Sequence, residues 1–319
     1  MNIIARIGRE DVALVSIVDF DGGRILECVE SVQPPLPREQ KWVLLVSTMF
    51  GCPIGCPMCD AGGSTQGRAS REEILAQIDH LVDGRYPGRV VPCRQFKVQF
   101  ARMGEPALNP AVLDVLEELP RRYRAPGLMP AVSTVAPAGA EVFFERLADV
   151  KDRLYPGGRF QFQFSVHSTD PGTRDRLIPC RKWDFERMAE YGEKFYRPGD
   201  RKIALNFALA RGIPVEAAVL VRHFDARKFM IKITPLNPTY EATANNLASA
   251  IDPFSPAGQI SVAADLERAG YEVIISLGET EENLIGSNCG QYIRALLRAG
   301  HPLDGGYTYP LRPAAEPAD

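Results

Sequence analysis

Three cysteines, Cys52, Cys56 and Cys59, stand in the stretch Cys52-Pro-Ile-Gly-Cys56-Pro-Met-Cys59. A helix cannot bring sulfurs at this spacing to one point, whereas a loop rich in proline and glycine can wrap around a metal cluster. Three thiolates hold a [4Fe–4S] cube with one iron left open to an outside ligand. A zinc site or a chance group of core cysteines is the alternative. Structural zinc takes four ligands in paired spacing, and the closest histidine, His80, falls inside a predicted helix. Further along, Gly104 and Glu105, Ser133, Ser165 with His167, and Asn237 each follow an apolar run, and Cys289 stands near the end. Such residues bind ligands or act as nucleophiles. Taken singly they also suit a plain turn, a structural hydrogen bond or an inert buried thiol.

These residues need elements to gather them. From Trp42 onward, β-rich runs alternate with stretches of helical period, the pattern of repeated βα units. The predicted strands are 42–47, 96–101, 130–135, 160–166, 202–209 and 229–234. Predicted helices follow at about 70–81, after Pro110, and over 139–148, 183–195, 215–224 and 257–269; Ser70 and Glu73 have capping-box spacing. The expected fold is α/β, a partial (β/α)6 barrel with its site at the C-terminal strand ends, although a flat doubly wound sheet would give the same string. Before it, two apolar runs flank Asp21-Gly22-Gly23 and predict a β-hairpin extension, followed by a linker at 33–40. After it come a strand at 272–276, an irregular acidic stretch and a helix at 291–298. The expected division is 1–40, 41–270 and 271–319.

At 319 residues, with 45% hydrophobic and 24% charged residues, the chain has a globular composition that excludes disordered and fibrous classes. A formal net charge of −3 gives no overall pull toward nucleic acid or anionic lipid. No apolar run reaches the ~20 residues of a membrane span, and Arg6, Arg9, Glu10 and Asp11 interrupt the N-terminal stretch. The expected location is cytoplasmic, without a membrane partner, where clustered cysteines are metal ligands or catalysts more often than disulfides.

The CxxxCxxC cluster after the first barrel strand resembles that of the radical S-adenosylmethionine (SAM) enzymes. Met103-Gly104-Glu105-Pro106, Ser133-Thr134, Ser165-Val166-His167, Arg174 to Pro179, Thr234 to Pro238 and Asn288-Cys289-Gly290-Gln291 are, in this order, similar to the RlmN/Cfr type, which methylates adenine carbons of RNA. The resemblance implies a [4Fe–4S] cluster on Cys52, Cys56 and Cys59, and SAM chelating its open iron. It implies that Glu105 binds the amino group of the methionine, that Gly104 lets backbone approach closely, and that Ser133, Ser165, His167 and Asn237 contact SAM. Cys289 would accept a methyl group and pass a one-carbon unit to an sp² carbon. A flavodoxin- or ferredoxin-like protein would donate electrons.

Three departures qualify that expectation. Leu45 stands where the family has a second, resolving cysteine, with Cys28 and Cys180 as substitutes out of register. The barrel begins so early that no large RNA-holding segment precedes it, and Met58 replaces an aromatic residue. The expected substrate is therefore non-ribosomal, a small molecule before a large folded RNA. Direct hydrogen abstraction by the 5′-deoxyadenosyl radical, RNA adenine methylation, and a non-catalytic metal-stabilised binding module are the alternatives.

Overall fold

Every strand predicted from Trp42 onward is a strand in the computed structural model, which describes residues 1–63, 65–251, 260–278, 280–287, 292, 303 and 305–313. In chain order the elements are β1 (Asn2–Arg9), β2 (Ala13–Asp19), β3 (Ile25–Val32), β4 (Lys41–Val46), β5 (Met49–Gly51), β6 (Thr65–Arg68), α1 (Arg71–Asp83), β7 (Gln95–Phe100), α2 (Ala111–Arg122), β8 (Leu128–Thr134), α3 (Glu141–Leu154), β9 (Gln161–Ser165), α4 (Pro171–Leu177), α5 (Phe185–Phe195), β10 (Ile203–Leu209), α6 (Ala217–His223), β11 (Phe229–Pro235), α7 (Tyr240–Ala244), α8 (Ile260–Arg268), β12 (Val273–Ile275), α9 (Thr280–Ile285) and β13 (Arg312–Pro313).

Strands β4, β7, β8, β9, β10, β11 and β12 lie side by side in chain order and in parallel. A doubly wound sheet would reverse its order at a switch point. Winding in one direction puts the crossover helices on one face and curls the sheet into a barrel. Because β12 pairs only with β11, the barrel stays open, a partial barrel.

Alternation along the strands separates the two faces. Trp42, Leu44 and Val46 on β4, Phe96, Val98 and Phe100 on β7, and Phe229, Ile231 and Ile233 on β11 are buried in the main core beneath the helices. The residues between them face the concave side. Ser70 caps α1, accepting from the Glu73 amide while the Glu73 carboxylate accepts from the Ser70 amide, the predicted capping box.

The N-terminal extension differs from the predicted hairpin. It is a three-stranded antiparallel meander, β1-β2-β3, whose last strand pairs with β4 and continues the barrel sheet. Strand β1 escaped the sequence reading because one of its faces is exposed and carries polar and charged side chains. The short helices α4 and α7 were also unforeseen. Each is set by a side-chain cap, Asp170 accepting from the Thr173 amide and Thr239 from the Ala242 amide. The predicted helix at 291–298 lies outside the described residues except for Tyr292. Among the described residues, no helix is long and apolar enough to cross a membrane.

Candidate active site

The cysteine loop starts where β5 ends. The amide of Cys59 donates to the Cys56 carbonyl (3.0 Å) and that of Gly62 to the Cys59 carbonyl (3.1 Å), so the loop folds as successive tight turns. Its two arms touch at Gly62, where a Cβ would stand 3.0 Å from Gly55 Cα. Asp60, buried directly behind Cys59, fastens the loop across the barrel mouth. It accepts from the Glu241 amide (2.9 Å) and from the Tyr307 hydroxyl (2.6 Å). Thr239 Oγ1 donates to the Met58 carbonyl (2.9 Å), so the segment after β11 holds the loop that follows β5.

Burial is the main influence on the thiols. It pushes Cys52 up to about 11 and Cys56 still higher, where the neighbouring sulfurs of Cys59 and Cys52 add to the rise. Three bunched thiols in a largely apolar setting ionise only when a metal supplies positive charge, and this donor set fits an iron–sulfur cluster. Among the described residues, no three His, Cys, Asp or Glu side chains converge on a single metal ion. A cluster needs no such point, because each thiolate meets its own iron.

Glu105 lies at the same mouth, in the turn after β7. It is 4% exposed. Its Oε1 accepts from the Ala107 amide (3.0 Å) and the Thr134 hydroxyl, and its Oε2 from the Val135 amide (3.0 Å). Burial nevertheless raises its carboxyl to about 7, with only these neutral donors opposing the rise and no described cation acting on it. Gly104 has φ +94, and a Cβ there would stand 2.5 Å from the Met49 Cβ. Glycine at 104 thus serves the packing of this turn on β5. Asn109 completes the junction, its amide nitrogen donating to the carbonyls of Thr48 and Ala69 (2.7 Å each).

His167 follows β9 at φ +65, and its Nδ1 accepts from the Ala208 amide (3.1 Å). That bond assigns the ring proton to Nε2. Burial, and secondarily Arg174, lowers its pKa to about 4, so the ring is neutral. Ser133 and Ser165 lie half-buried at the ends of β8 and β9, opposite Gln163 and Asn206, and Asn237 lies half-buried just past β11. Cys289 lies outside the described residues.

Several residues at the mouth carry no signal of their own in the sequence reading. Arg102, fully buried, pairs with the equally buried Glu27 of β3 (2.6 Å) and donates to the carbonyls of Gly286 (3.0 Å) and Ser287 (2.9 Å). It ties the barrel to backbone just ahead of Asn288. Asp60 is another, and Thr134 stood in the Ser133-Thr134 string without a role of its own. The available signal was adjacency, since Arg102 abuts Met103-Gly104-Glu105, Asp60 follows Cys59 and Thr134 follows Ser133.

The remaining thiols divide cleanly. Cys28 is fully buried on β3, where burial raises it to about 12, and Cys93 is buried beside the Tyr86 hydroxyl (3.5 Å). Cys180 instead packs with Cys52, Cys56 and Met58 in a small apolar cluster at the mouth. Leu45 packs against the apolar cluster of the N-terminal meander.

No protein-family model matches the chain. It is 31% identical over 283 residues to a probable dual-specificity RNA methyltransferase RlmN of Desulfitobacterium hafniense (strain Y51), covering 86% of this chain and 73% of that protein. A protein of the same description from Thermus thermophilus is 26% identical over 263 residues, covering 80% of this chain and 68% of that protein. Among solved structures, a radical SAM methyltransferase from Sphaerobacter thermophilus has the same fold, with a TM-score of 0.69 over 91% of this chain and 80% of that chain at 19% identity.

Proposed function

The chain belongs to the RlmN-type radical SAM methyltransferases, and on that premise we propose that it moves a one-carbon unit from SAM, by way of Cys289, to an sp² carbon of a small non-ribosomal molecule. A [4Fe–4S] cluster on Cys52, Cys56 and Cys59 supplies, when bound, the electron that splits SAM reductively. Electrons reach it from a flavodoxin- or ferredoxin-like partner.

The protein's own part is orientation. Glu105 is a buried carboxylate whose three donors are neutral, beside the cysteine loop. It gains most from a positively charged or strongly donating group, which the amino group of methionine provides. His167 offers an Nε2 donor, and Ser133, Ser165 and Asn237 offer hydroxyls and an amide at neighbouring strand ends. Cys289 contributes a nucleophilic sulfur that accepts the methyl group and keeps the carbon attached to the enzyme.

The observation that carries the reading is the Arg102 clamp. One buried guanidinium joins the turn before Glu105 to the carbonyls of Gly286 and Ser287, and so tethers the segment leading to Cys289 at the mouth. Of the two thiols that stand in for the one missing at Leu45, Cys180 is the better supported, since it packs on the cysteine loop while Cys28 is sealed in the core.

The test is the mass of the Cys289 peptide after anaerobic incubation of cluster-loaded enzyme with SAM carrying a deuterated methyl group. The expected result is one labelled methyl on Cys289. An unmodified Cys289 in enzyme that still forms 5′-deoxyadenosine would overturn the reading. It would favour direct hydrogen abstraction, the alternative that Leu45 supports.

A further inference from the structure

The concave wall of the barrel, below the mouth, is built differently from the mouth itself. On β7, Phe96, Val98 and Phe100 face the helices, so Lys97 and Gln99 face the barrel interior. The same alternation turns Gln163 inward on β9, Asn206 on β10 and Lys232 on β11. Asn206 lies in register with Ser165 on one side and Lys232 on the other. A polar row therefore runs across the strands from Ser165, assigned to SAM, through Asn206 to Lys232, whose charge reaches Lys97.

Two independent features of this wall call for a ligand. Asn206 is 8% exposed, and its buried Oδ1 makes no hydrogen bond. Such an atom is destabilising unless a donor reaches it. Lys97 has Lys232, Lys41 and Arg201 as its charged neighbours and no described carboxylate; burial first, and these repulsions second, lower its ammonium to about 7. Beneath it, at the N-terminal strand ends, a cavity of about 460 Å³ is lined by Lys41, Arg94, Arg159 and Arg201 and by no acidic residue. In a chain whose net charge is −3, this concentration of cations is local to the barrel interior and its floor.

We infer that the barrel interior binds a small molecule with a terminal oxyanion, a carboxylate or phosphate, whose charged end lies between Lys97 and Lys232 and whose neutral body hydrogen-bonds Asn206 beside the SAM contact Ser165. This rests on the reading above and gives its substrate a chemical class. A folded RNA presents its phosphates along an outer surface and would be met by cations on the exterior instead.

The test uses the cluster-loaded enzyme with SAM, titrated calorimetrically with inorganic phosphate and, separately, with succinate. Whichever probe binds more tightly identifies the oxyanion. The expected result is saturable binding at one site per chain, weakened about thirtyfold or more by Lys97→Met or Lys232→Met and kept within a few-fold by Lys97→Arg. Lys97 is repelled by its charged neighbours, so replacing it by methionine removes an unfavourable charge and the Lys97→Met variant should fold. Unchanged binding in both methionine variants, or no saturable binding of either probe, would overturn the inference. Formation of 5′-deoxyadenosine by the unmodified enzyme is measured alongside. Its absence, with Lys97-dependent binding intact, would sink the radical SAM reading and leave the anion site standing.

Discussion

The mouth of the barrel and the wall beneath it use similar side chains under opposite conditions. At the mouth, Glu105 receives three hydrogen bonds, Asp60 joins the cysteine loop to the segment after β11, Asn109 bridges two carbonyls, and Arg102 pairs with Glu27 while holding two more. On the wall, the Asn206 Oδ1 is unmatched and Lys97 has only cations for charged neighbours. A group oriented by the protein itself is set before any ligand arrives, which suits chemistry common to a whole family. A group left incomplete is finished by its ligand, which suits the part that differs between relatives. The mouth would then do the chemistry and the wall choose the substrate.

The largest effect expected is at the cluster ligands. Cys56→Ala should reduce bound iron and drop 5′-deoxyadenosine formation to background, read by iron analysis and anaerobic turnover; full iron content and turnover would break the assignment of the mouth. Next comes Arg102→Met, which removes the buried guanidinium that pairs with Glu27 and holds the Gly286 and Ser287 carbonyls, and should cost about 3–5 kcal/mol in urea unfolding. Adding Glu27→Gln should recover part of that loss, since the two side chains form one unit. Glu105→Ala should weaken SAM binding by about 10–100-fold in equilibrium titration, the range for one lost charged hydrogen-bonding partner.

The smallest effect is a pair of opposite pH dependences in ligand-free protein. Glu105, raised to about 7, keeps a proton that the unfolded chain releases near its ordinary value of about 4.3, so its contribution to stability falls as pH rises across that window. Lys97, lowered to about 7, loses a proton that the unfolded chain keeps to about 10.4, so its contribution rises with pH from 7 upward. Lys97→Met should remove that rise, and Glu105→Gln the earlier fall, each on the order of 1 kcal/mol in urea midpoints compared at pH 5.5, 7 and 9.5. The charged groups that act on Lys97 are Lys41 on β4, Arg201 before β10 and Lys232 on β11.

The barrel was legible because its strands bury one face under helices, leaving apolar runs of period two between stretches of helical period. Strand β1 was not, because its exposed face carries Asn2 and Arg6 and the strand ends on a second exposed arginine, Arg9. The motif residues of the mouth were legible as short strings, but their supports were not, since Arg102 and Asp60 act through partners far away in sequence, at Glu27, Gly286 and Tyr307. The wall was least legible of all. Lys97 and Asn206 sit inside ordinary strand runs, and only register and curvature make them neighbours of Lys232 and Ser165.

Anomalous diffraction from crystals grown anaerobically with SAM and soaked in selenate, a heavy stand-in for a phosphate group, tests both halves of the comparison at once. The expected result is iron at Cys52, Cys56 and Cys59, the SAM amino group at Glu105, and selenium within hydrogen-bonding reach of Lys97 and Lys232. Iron elsewhere, SAM turned away from Glu105, or selenate seated only outside the barrel would contradict the account.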